Sequence, residues 1–300
     1  MKRRPPITFS ASEYSRRAFT LIELMIAIVI ILILLGLLIP AIGAVRLRAQ
    51  QSQVRAEIGN LEAAITAFKG EFGMDPPSGI ILYEDEAGWN SDQRSKGLIR
   101  KMWPQFNFSI DRDINKNGSI DGGSSGGTPL NAGECLVFFL GGVWDTSGKT
   151  PNGFSKNPAN PFAVASAGGG RQGPYYEFDI SRFVDTDGDN APEYLDSFPS
   201  QQKPYLYFSS YDGRGYRSGE ITGTGMANVY HQGNPAHGED LGPAFKIKSY
   251  QIISPGADYQ YGSGGNYDPD KYFPGAAAPS FPDRTVESDN ITNFVSGSLK

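Results

Sequence analysis

The feature that most constrains the fold is a long apolar run near the amino terminus, in RRAFTLIELMIAIVIILILLGLLIP. No charged side chain occurs between Leu24 and Val45, which is about the 20 apolar residues that a helix needs to cross the hydrocarbon layer of a membrane. An ordinary signal peptide has a shorter apolar core and then a cleavage site of small residues, and no convincing site of that kind follows here. The run therefore predicts a membrane-spanning helix, and a plain signal anchor is the simplest interpretation.

Charge is distributed unevenly along the chain. Residues 1–18 carry a net charge of +4, and because the whole chain carries −5, the remainder carries −9. Basic flanks stay on the cytoplasmic side of a membrane, so we expect the leader in the cytoplasm and the body on the outer side. Nucleic-acid binding depends on clustered Lys and Arg, so the acidic body argues against a nucleic-acid partner. It suits a protein that binds hard cations.

Two residues distinguish the apolar run from a plain anchor. Glu23 places a carboxylate inside it, which costs about 2.5 kcal/mol or more near a membrane centre and less near an end. An ionisable residue within a membrane segment is by default a functional-site hypothesis. Pro40 interrupts the helical run and is expected to kink or loosen it. Both residues therefore indicate that the segment does more than anchor the chain.

The stretch AFTLIELMIAIVIILILLGLLIP resembles the amino terminus of type IV pilins and type II secretion pseudopilins. The resemblance implies that a prepilin peptidase cuts between Ala18 and Phe19 on the cytoplasmic side and methylates the new amino group. Phe19 would become the first mature residue, and Glu23 and Pro40 match a glutamate and a proline of the family motif. The family usually has glycine before the cut, so Ala18 implies slower processing.

The resemblance also implies a partner for Glu23. In that family the free amino group of the first mature residue, here Phe19, pairs with the glutamate of a neighbouring subunit. Two charges that each cost free energy in lipid become tolerable when they are brought together. The expected assembly residues are therefore Phe19, Glu23 and Pro40, and Glu23 is a docking element instead of an acid–base catalyst.

The helical pattern continues beyond the apolar run. Apolar residues recur at steps of three and four on one face, formed by Val54, Ile58, Leu61, Ala64, Ile65 and Phe68. Gly70, Gly73 and the pair Pro76-Pro77 predict that the helix ends near Phe72. A short second helix is predicted at 130–140 and strands at 175–180, 205–210 and 247–253.

These elements predict an α+β fold. One long bent amino-terminal helix, transmembrane in its first half, packs on a small antiparallel β-sheet with long loops, and the pilin family fold agrees. We expect a leader peptide at residues 1–18, a transmembrane and assembly helix at 19–45, a soluble continuation of the helix at 46–75 and a periplasmic or extracellular globular domain at 76–300.

Two acidic loops predict calcium sites, because alternating oxygen ligands on a tight turn can supply the six to eight oxygens that calcium takes. The first loop, DTDGDNAPEYLD, offers Asp185, Asp187, Asp189, Glu193 and Asp196 at positions one, three, five, nine and twelve. The second, DINKNGSID, offers Asp113, Asn115, Asn117 and Asp121 at positions one, three, five and nine. Neither is a true EF-hand, since the first loop has Asn190 at position six and the second has Ser124 at position twelve. The alternative for both is an Asp/Asn/Gly turn that needs no metal.

A third calcium site is implied by resemblance alone. The segments SPGADYQYGSGGNYDPDKY and ESDNITNF resemble the carboxyl-terminal end of the major pseudopilin of type II secretion. There a calcium-bound loop stabilises the sheet, and the positions that correspond here are Ser254, Asp258 and Asp289. An insertion separates the two segments, and the body is longer than that of the usual major pseudopilin.

The resemblance implies a structural protein without catalytic residues. The favoured prediction is a pseudopilin-like subunit of a type II secretion system that polymerises with itself and with other pseudopilins into a short periplasmic filament. Its expected partners are prepilin peptidase and the inner-membrane secretion platform. Before extraction into the filament it would cross the bacterial inner membrane once, with a cytoplasmic amino terminus and a periplasmic body.

Two alternatives remain. One is a pilin subunit of a surface fibre for adhesion, motility or DNA uptake, although a single cysteine, Cys135, disfavours pilins that close a carboxyl-terminal disulfide loop. The other is a membrane-anchored enzyme or carbohydrate-binding module that uses the same signal. Its sugar site would be lined by the aromatic cluster of Tyr205, Tyr207, Phe208 and Tyr211, for which burial in a strand core is the simpler explanation.

Overall fold

The structure is a computed structural model that describes residues 19–144, 150–164, 169–236, 240–275 and 283–299. The chain divides into two compact units, residues 1–48 and 49–300. The described residues form helices α1 (Leu21–Phe72), α2 (Glu86–Ser91), α3 (Gln93–Met102), α4 (Ala132–Gly141) and α5 (Ser218–Thr222), with short 3₁₀ turns at Ile180–Arg182 and Thr285–Asp289.

The strands are short and distributed over several small sheets. They are β1 (Ile80–Tyr83), β2 (Gly127–Leu130), β3 (Phe154–Ser155), β4 (Arg171–Gln172), β5 (Phe183–Val184), β6 (Glu193–Tyr194), β7 (Leu206–Ser209), β8 (Tyr230–Gln232), β9 (Tyr250–Ser254), β10 (Gly265–Tyr267) and β11 (Ile291–Thr292). Among the described residues the largest sheet is antiparallel and has the order β11–β9–β7, and the other pairings are two-stranded. The predicted α+β class with a long amino-terminal helix and small antiparallel sheets is confirmed, and β8 and β10 add a parallel pair.

The three-stranded sheet lies between two apolar clusters. In its register Tyr207 is opposite Ile252, and Leu206 is opposite Ile253. Since successive side chains of a strand point to opposite faces, Tyr207 and Ile252 enter one cluster, while Leu206 and Ile253 enter the other. Both strands are buried along their whole length, so this sheet forms the centre of the body.

The helices of the body bury the faces that the sequence predicts. All six predicted core residues of α1 are buried with 5% or less of their surface exposed, namely Val54, Ile58, Leu61, Ala64, Ile65 and Phe68. Phe68 packs edge to face with Phe139 of α4, with ring centroids 5.9 Å apart. The predicted second helix is confirmed as α4, and every one of its residues is buried.

Capping and turn residues determine where these helices begin and end. α4 begins with a capping box, in which the backbone N–H of Glu134 donates to Asn131 Oδ1 and the backbone N–H of Asn131 donates to Glu134 Oε2. α1 ends at Phe72, as predicted, and Gly73 follows with a positive φ of 70°. Glycine adopts that conformation without steric cost, which ends the helix.

Two strand predictions need correction. The strand predicted at 175–180 is wrong, because the backbone N–H groups of Tyr175 and Tyr176 both donate to the carbonyl of Leu140 near the end of α4, at 2.7 and 3.2 Å. These donors satisfy an orphan helix carbonyl and are unavailable to a β-ladder. The strand predicted at 247–253 begins only at Tyr250, since the backbone N–H of Ser249 donates to the carbonyl of Lys246 and forms a turn there.

Candidate functional site

The first part of α1 presents an apolar surface. From residue 19 to 48 every residue whose side chain is described is exposed. By length and composition α1 is the one helix of the described residues that is able to cross a membrane, and its most apolar 18-residue window has a mean hydropathy of 3.2. Apolar side chains that find no cover within their own unit require lipid or another protein to remove them from water.

Glu23 is held at the start of this helix. Its Oε2 accepts hydrogen bonds from the backbone N–H and the hydroxyl of Thr20, both at 2.8 Å, while the Glu23 N–H donates to the Thr20 hydroxyl at 3.2 Å. This reciprocal arrangement is a capping box, and it follows from the Thr20-Leu21-Ile22-Glu23 spacing. Glu23 therefore satisfies helix-terminal donors within its own chain.

Phe19 and Pro40, the other predicted assembly residues, lie before α1 and within it. Phe19 precedes α1 and is 89% exposed. α1 continues through Pro40 without a change of secondary structure. Ala18, on the leader side of the predicted cut, lies outside the described residues.

The loop at 185–190 folds around its first carboxylate. Asp185 accepts the backbone N–H groups of Gly188 at 2.7 Å and Asn190 at 3.1 Å, and Asn190 has a positive φ of 68°. Position six of an EF-hand loop makes a sharp turn that normally requires glycine. Asn190 supplies this turn instead, since asparagine tolerates the left-handed region.

A carboxylate from α4 joins this loop. Oxygen atoms of Glu134, Asp187 and Asp189 lie within 4.8 Å of one another. Burial raises the pKa of Glu134 to about 9, helped by the charges of the neighbouring carboxylates and opposed by the Asn131 N–H. Burial likewise raises the pKa of Asp189 to about 6, again with support from adjacent acids. Glu134 is buried, Asp189 is half-buried and Asp187 is exposed, and carboxylates that repel one another at such short range are stabilised by a cation that binds between them.

Glu193 and Asp196, the remaining acids of the first loop, accept hydrogen bonds from protein groups. Glu193 is buried and accepts hydrogen bonds from the backbone N–H and hydroxyl of Thr186, and from the side-chain amide of Asn131. Asp196 accepts from the hydroxyl of Ser254 at 2.6 Å and from the amide of Gln201. The side-chain amide of Asn131 joins Glu193 to Glu134, whereas Asp196 is directed away from them and contacts a residue of the third predicted site.

The second acidic loop repeats the geometry of the first. The backbone N–H of Gly118 donates to Asp113 Oδ2 at 3.0 Å, which is the same bond between positions six and one. Gly118 also has a positive φ, of 89°. The side-chain amides of Asn115 and Asn117 both donate to Asp121 Oδ2, at 3.2 and 2.7 Å. The structure thus brings the four predicted residues of this loop together.

At the carboxyl-terminal site the three predicted residues are neighbours. Asp289 Oδ2 accepts the backbone N–H groups of Ala257 at 2.5 Å and Asp258 at 3.0 Å. Desolvation and the adjacent Asp289 charge raise the pKa of Asp258 to about 6. Ser254 lies two residues before Gly256, and its hydroxyl oxygen accepts a hydrogen bond from the Gly256 N–H at 3.2 Å. The same hydroxyl donates to Asp196.

One observation is common to all three groups. Each contains one buried carboxylate oxygen without a hydrogen-bond partner among the described residues, namely Asp189 Oδ2, Asp113 Oδ1 and Asp289 Oδ1. A buried oxygen without a donor is costly unless something else satisfies it. Oxygen-only ligand sets of carboxylates and amide carbonyls are those that calcium prefers, so the residues present fit this ion.

Sequence reasoning missed Glu134. It lies 51 residues before Asp185 and belongs to a helix, so no loop-spacing pattern includes it. The signal that the sequence did carry is the Asn131-x-x-Glu134 pattern, which identifies a helix start. Only the fold, which packs α4 against β6, places the start of that helix beside the loop that precedes β6.

Comparison with known proteins identifies the amino terminus. The family model of the prokaryotic N-terminal methylation motif matches residues 14–39, a range that includes Ala18, Phe19 and Glu23. Comparison with curated proteins and with solved structures gave no significant match. The motif supports a type IV pilin-like protein that prepilin peptidase processes, and an apolar helix long enough for a single membrane pass agrees with it. The chain is therefore a bearer of the prokaryotic N-terminal methylation motif, with a pilin-like amino terminus and an α+β body.

Proposed function

We propose that the chain is a structural, pseudopilin-like subunit of a type II secretion system. Prepilin peptidase cuts it between Ala18 and Phe19, and the mature chain polymerises through α1 into a short filament with itself and with other pseudopilins. The observation that carries the proposal is the exposed apolar surface of residues 19–48, most of which lies within the methylation motif at residues 14–39. A surface of this kind is covered by lipid before assembly and by other helices afterwards.

Localisation follows from the same segment. The subunit crosses the bacterial inner membrane once, with its basic leader in the cytoplasm and its body in the periplasm. Assembly on the inner-membrane secretion platform then extracts it into the filament. In this proposal the subunit has no catalytic residues.

Glu23 acts in assembly by exchanging partners. Within the chain its carboxylate caps α1 through Thr20. Cleavage before Phe19 creates an amino group, which is a stronger, charged partner for the carboxylate of a neighbouring subunit. The capping contact keeps Glu23 satisfied until that partner arrives, and this lowers the cost of a carboxylate at the edge of the membrane.

Calcium stabilises the body in this proposal. One ion binds between Glu134, Asp187 and Asp189 and ties the loop before β6 to the start of α4. The Asp113–Asp121 loop and the group around Asp258 and Asp289 are further sites for the same ion. The support is the buried, unpartnered oxygen in each group and the mutual repulsion of acids around Glu134.

The experiment that tests the function has two readouts. Mass spectrometry of the mature protein is expected to show a chain that begins at N-methylated Phe19, and an intact leader would contradict assembly through this motif. Deletion of the gene is expected to abolish secretion of exoproteins. Loss of surface fibres with normal secretion would instead support the pilin alternative.

The second alternative, a membrane-anchored enzyme or carbohydrate-binding module, loses support for its sugar site from one observation. Three of the aromatic residues proposed to line a sugar site are buried in the body, with at most 1% of their surface exposed, namely Tyr205, Tyr207 and Phe208. Tyr207 also donates its hydroxyl to the backbone carbonyl of Pro76 at 2.7 Å. These rings serve the core, and a sugar has no access to them.

A further inference from the structure

A basic pocket lies between α3 and the loop that follows β7. Its lining contains four basic residues, Arg94, Lys101, Arg214 and Arg217, and its volume is about 380 Å³. The rest of the chain beyond the leader is strongly acidic. Positive charge concentrated in a concave surface raises the local concentration of anions, so this basic pocket is distinct in chemistry from the acidic sites described above.

The protein holds two of these cations in place. The guanidinium groups of Arg94 and Arg217 lie 5.6 and 5.2 Å from the ring centroid of Tyr211. Glu220 accepts a hydrogen bond from Arg94 and lies 4.0 Å from the Nε of Arg217. Arginine side chains that are ordered in advance lose less entropy when a ligand binds.

The same basic pocket retains unused hydrogen-bond donors. Arg214 is exposed and makes no hydrogen bond or ion pair with another described residue. The buried Nε of Arg94 also has no hydrogen-bond partner among the described residues. Within the described part of the chain, Lys101 forms an ion pair with Asp212 alone, at 3.3 Å and with both side chains well exposed. Guanidinium donors match the geometry of carboxylate and phosphate oxygens, so the pocket has free capacity for an oxyanion.

Gly97 keeps one wall of the basic pocket free of a side chain. It lies on α3 between Arg94 and Lys101, at the three- and four-residue spacing that places all three on one helix face, and it lines the pocket. A glycine inside a helix costs roughly 0.5–1 kcal/mol relative to alanine. Apart from the adjoining backbone of α3, no atom of the described residues lies within 4 Å of the position that a Cβ would take, so packing does not require glycine here. Its absent side chain leaves the pocket open.

We propose that the basic pocket binds an organic oxyanion, namely a carboxylate or phosphate carried on a body about the size of a sugar ring. A volume of about 380 Å³ falls within the range of small-molecule sites and exceeds what an inorganic anion fills. This binding goes beyond the proposed filament function, because assembly through α1 does not depend on it.

Isothermal titration calorimetry of the full chain in a non-ionic detergent tests the proposal. The probes are glucuronate, glucose 6-phosphate, inorganic phosphate and glucose. We expect saturable binding of glucuronate or glucose 6-phosphate, and the tighter of the two identifies the anionic group. Absence of binding by both, or binding of glucose with equal affinity, would overturn the proposal. If inorganic phosphate binds as tightly as glucose 6-phosphate, the proposal that the pocket recognises an organic body would be wrong.

Variants connect the binding to these residues. The double variant Arg214→Gln and Arg217→Gln changes two exposed side chains and is expected to weaken binding at least about tenfold. Gly97→Glu introduces a good helix former and a negative charge into the pocket, and should abolish binding. Arg100→Gln, on another face of α3 where its guanidinium lies over Phe108, is the control and should bind normally. Wild-type affinity in the double variant would refute the assignment.

Discussion

The carboxylate of Glu23 accepts both the backbone N–H and the hydroxyl of Thr20, each at 2.8 Å. A residue that the family motif associates with contacts between subunits thus has a defined role inside a single chain. Capping needs only an acceptor oxygen, whereas pairing with an amino group needs a negative charge. The two roles therefore respond differently to substitution.

Glu23→Gln should retain cleavage and capping but assemble poorly. Glutamine also serves in a capping box, and it removes the charge that pairs with the Phe19 amino group. We expect filament yield to fall about tenfold or more, measured by sedimentation of sheared filaments. Thr20→Val is the matched control. It removes the capping hydroxyl, which costs about 1 kcal/mol of helix stability, and leaves the charge of Glu23 in place. Wild-type filament yield in Glu23→Gln would exclude a charge-dependent docking role.

Ala18→Gly should accelerate removal of the leader. The change restores the residue that is usual before the cut in pilin-like proteins, and it removes the only side-chain atom at that position. Pulse-labelling of cells followed by electrophoresis measures the rate at which the mature chain appears. A bulky replacement, Ala18→Leu, is expected to block the cut. Identical rates for alanine and glycine would show that this position does not limit processing.

Removal of calcium should destabilise the body. At a free calcium concentration about 100 times Kd the ion contributes about 2.7 kcal/mol, so chelation is expected to lower Tm by about 5–10 °C. Glu134→Gln keeps the capping box but removes one anionic ligand, and Asp187→Asn removes another. Both variants should lose the part of the calcium response that this site supplies and keep the part that the other two sites supply, while Asp270→Asn, at an exposed position outside the cluster, should keep the whole response. An unchanged melting curve on chelation would argue against the site.

The pH dependence of the calcium-free protein should reflect Glu134. Burial raises its pKa from 4.5 to about 9 in the folded chain, so the folded state retains a proton that the unfolded state releases. The stabilisation is complete below about pH 4.5 and is lost as the pH rises towards 9. With chelator present, Tm is expected to fall between about pH 5 and pH 8.

Calcium should reduce this slope, because its affinity for carboxylates increases as they lose their protons. Glu134→Gln has no proton to lose at this position and should also flatten the slope in chelator. Thermal melts across the pH series, with and without calcium, measure both effects. Equal slopes of Tm against pH with and without calcium would show that Glu134 does not take part in calcium binding.

The ion pair between Glu57 and Arg182 should anchor α1 to the body. Arg182 donates to both carboxylate oxygens, at 2.7 and 2.8 Å, and the Tyr205 hydroxyl adds a third bond at 2.8 Å. Glu57→Gln leaves a half-buried guanidinium without its counter-charge. We therefore expect the free energy of unfolding to fall by about 2–4 kcal/mol. Chemical denaturation of the full chain in detergent measures it. Asp268→Asn, which breaks a longer and more exposed pair with Lys271 at 3.8 Å, should cost less than about 1 kcal/mol, and equal losses would refute the anchoring role.

Local patterns predicted the elements whose signals lie within a few adjacent residues. The apolar run of α1, its buried face from Val54 to Phe68 and its end at Phe72 depend on helical spacing and on glycine and proline. The Thr20-x-x-Glu23 spacing likewise lies within four residues and encodes a capping box, whereas the family resemblance predicted only a docking role for Glu23. In contrast, Tyr175 to Ile180 has strand-like composition and forms no strand, because the N–H groups of its first two residues donate to the carbonyl of Leu140 in α4.

The sequence by itself therefore determined the pilin-like amino terminus, the α+β class and the presence of two calcium-like loops, since each is written in consecutive residues. Only the tertiary structure decided which carboxylates meet. It placed Glu134 beside Asp187 and Asp189, directed Asp196 towards Ser254, and brought Arg94 and Lys101 of α3 to Arg214 and Arg217. The physical reason is that burial and packing bring together residues far apart in the chain, and spacing along the sequence carries no record of those contacts.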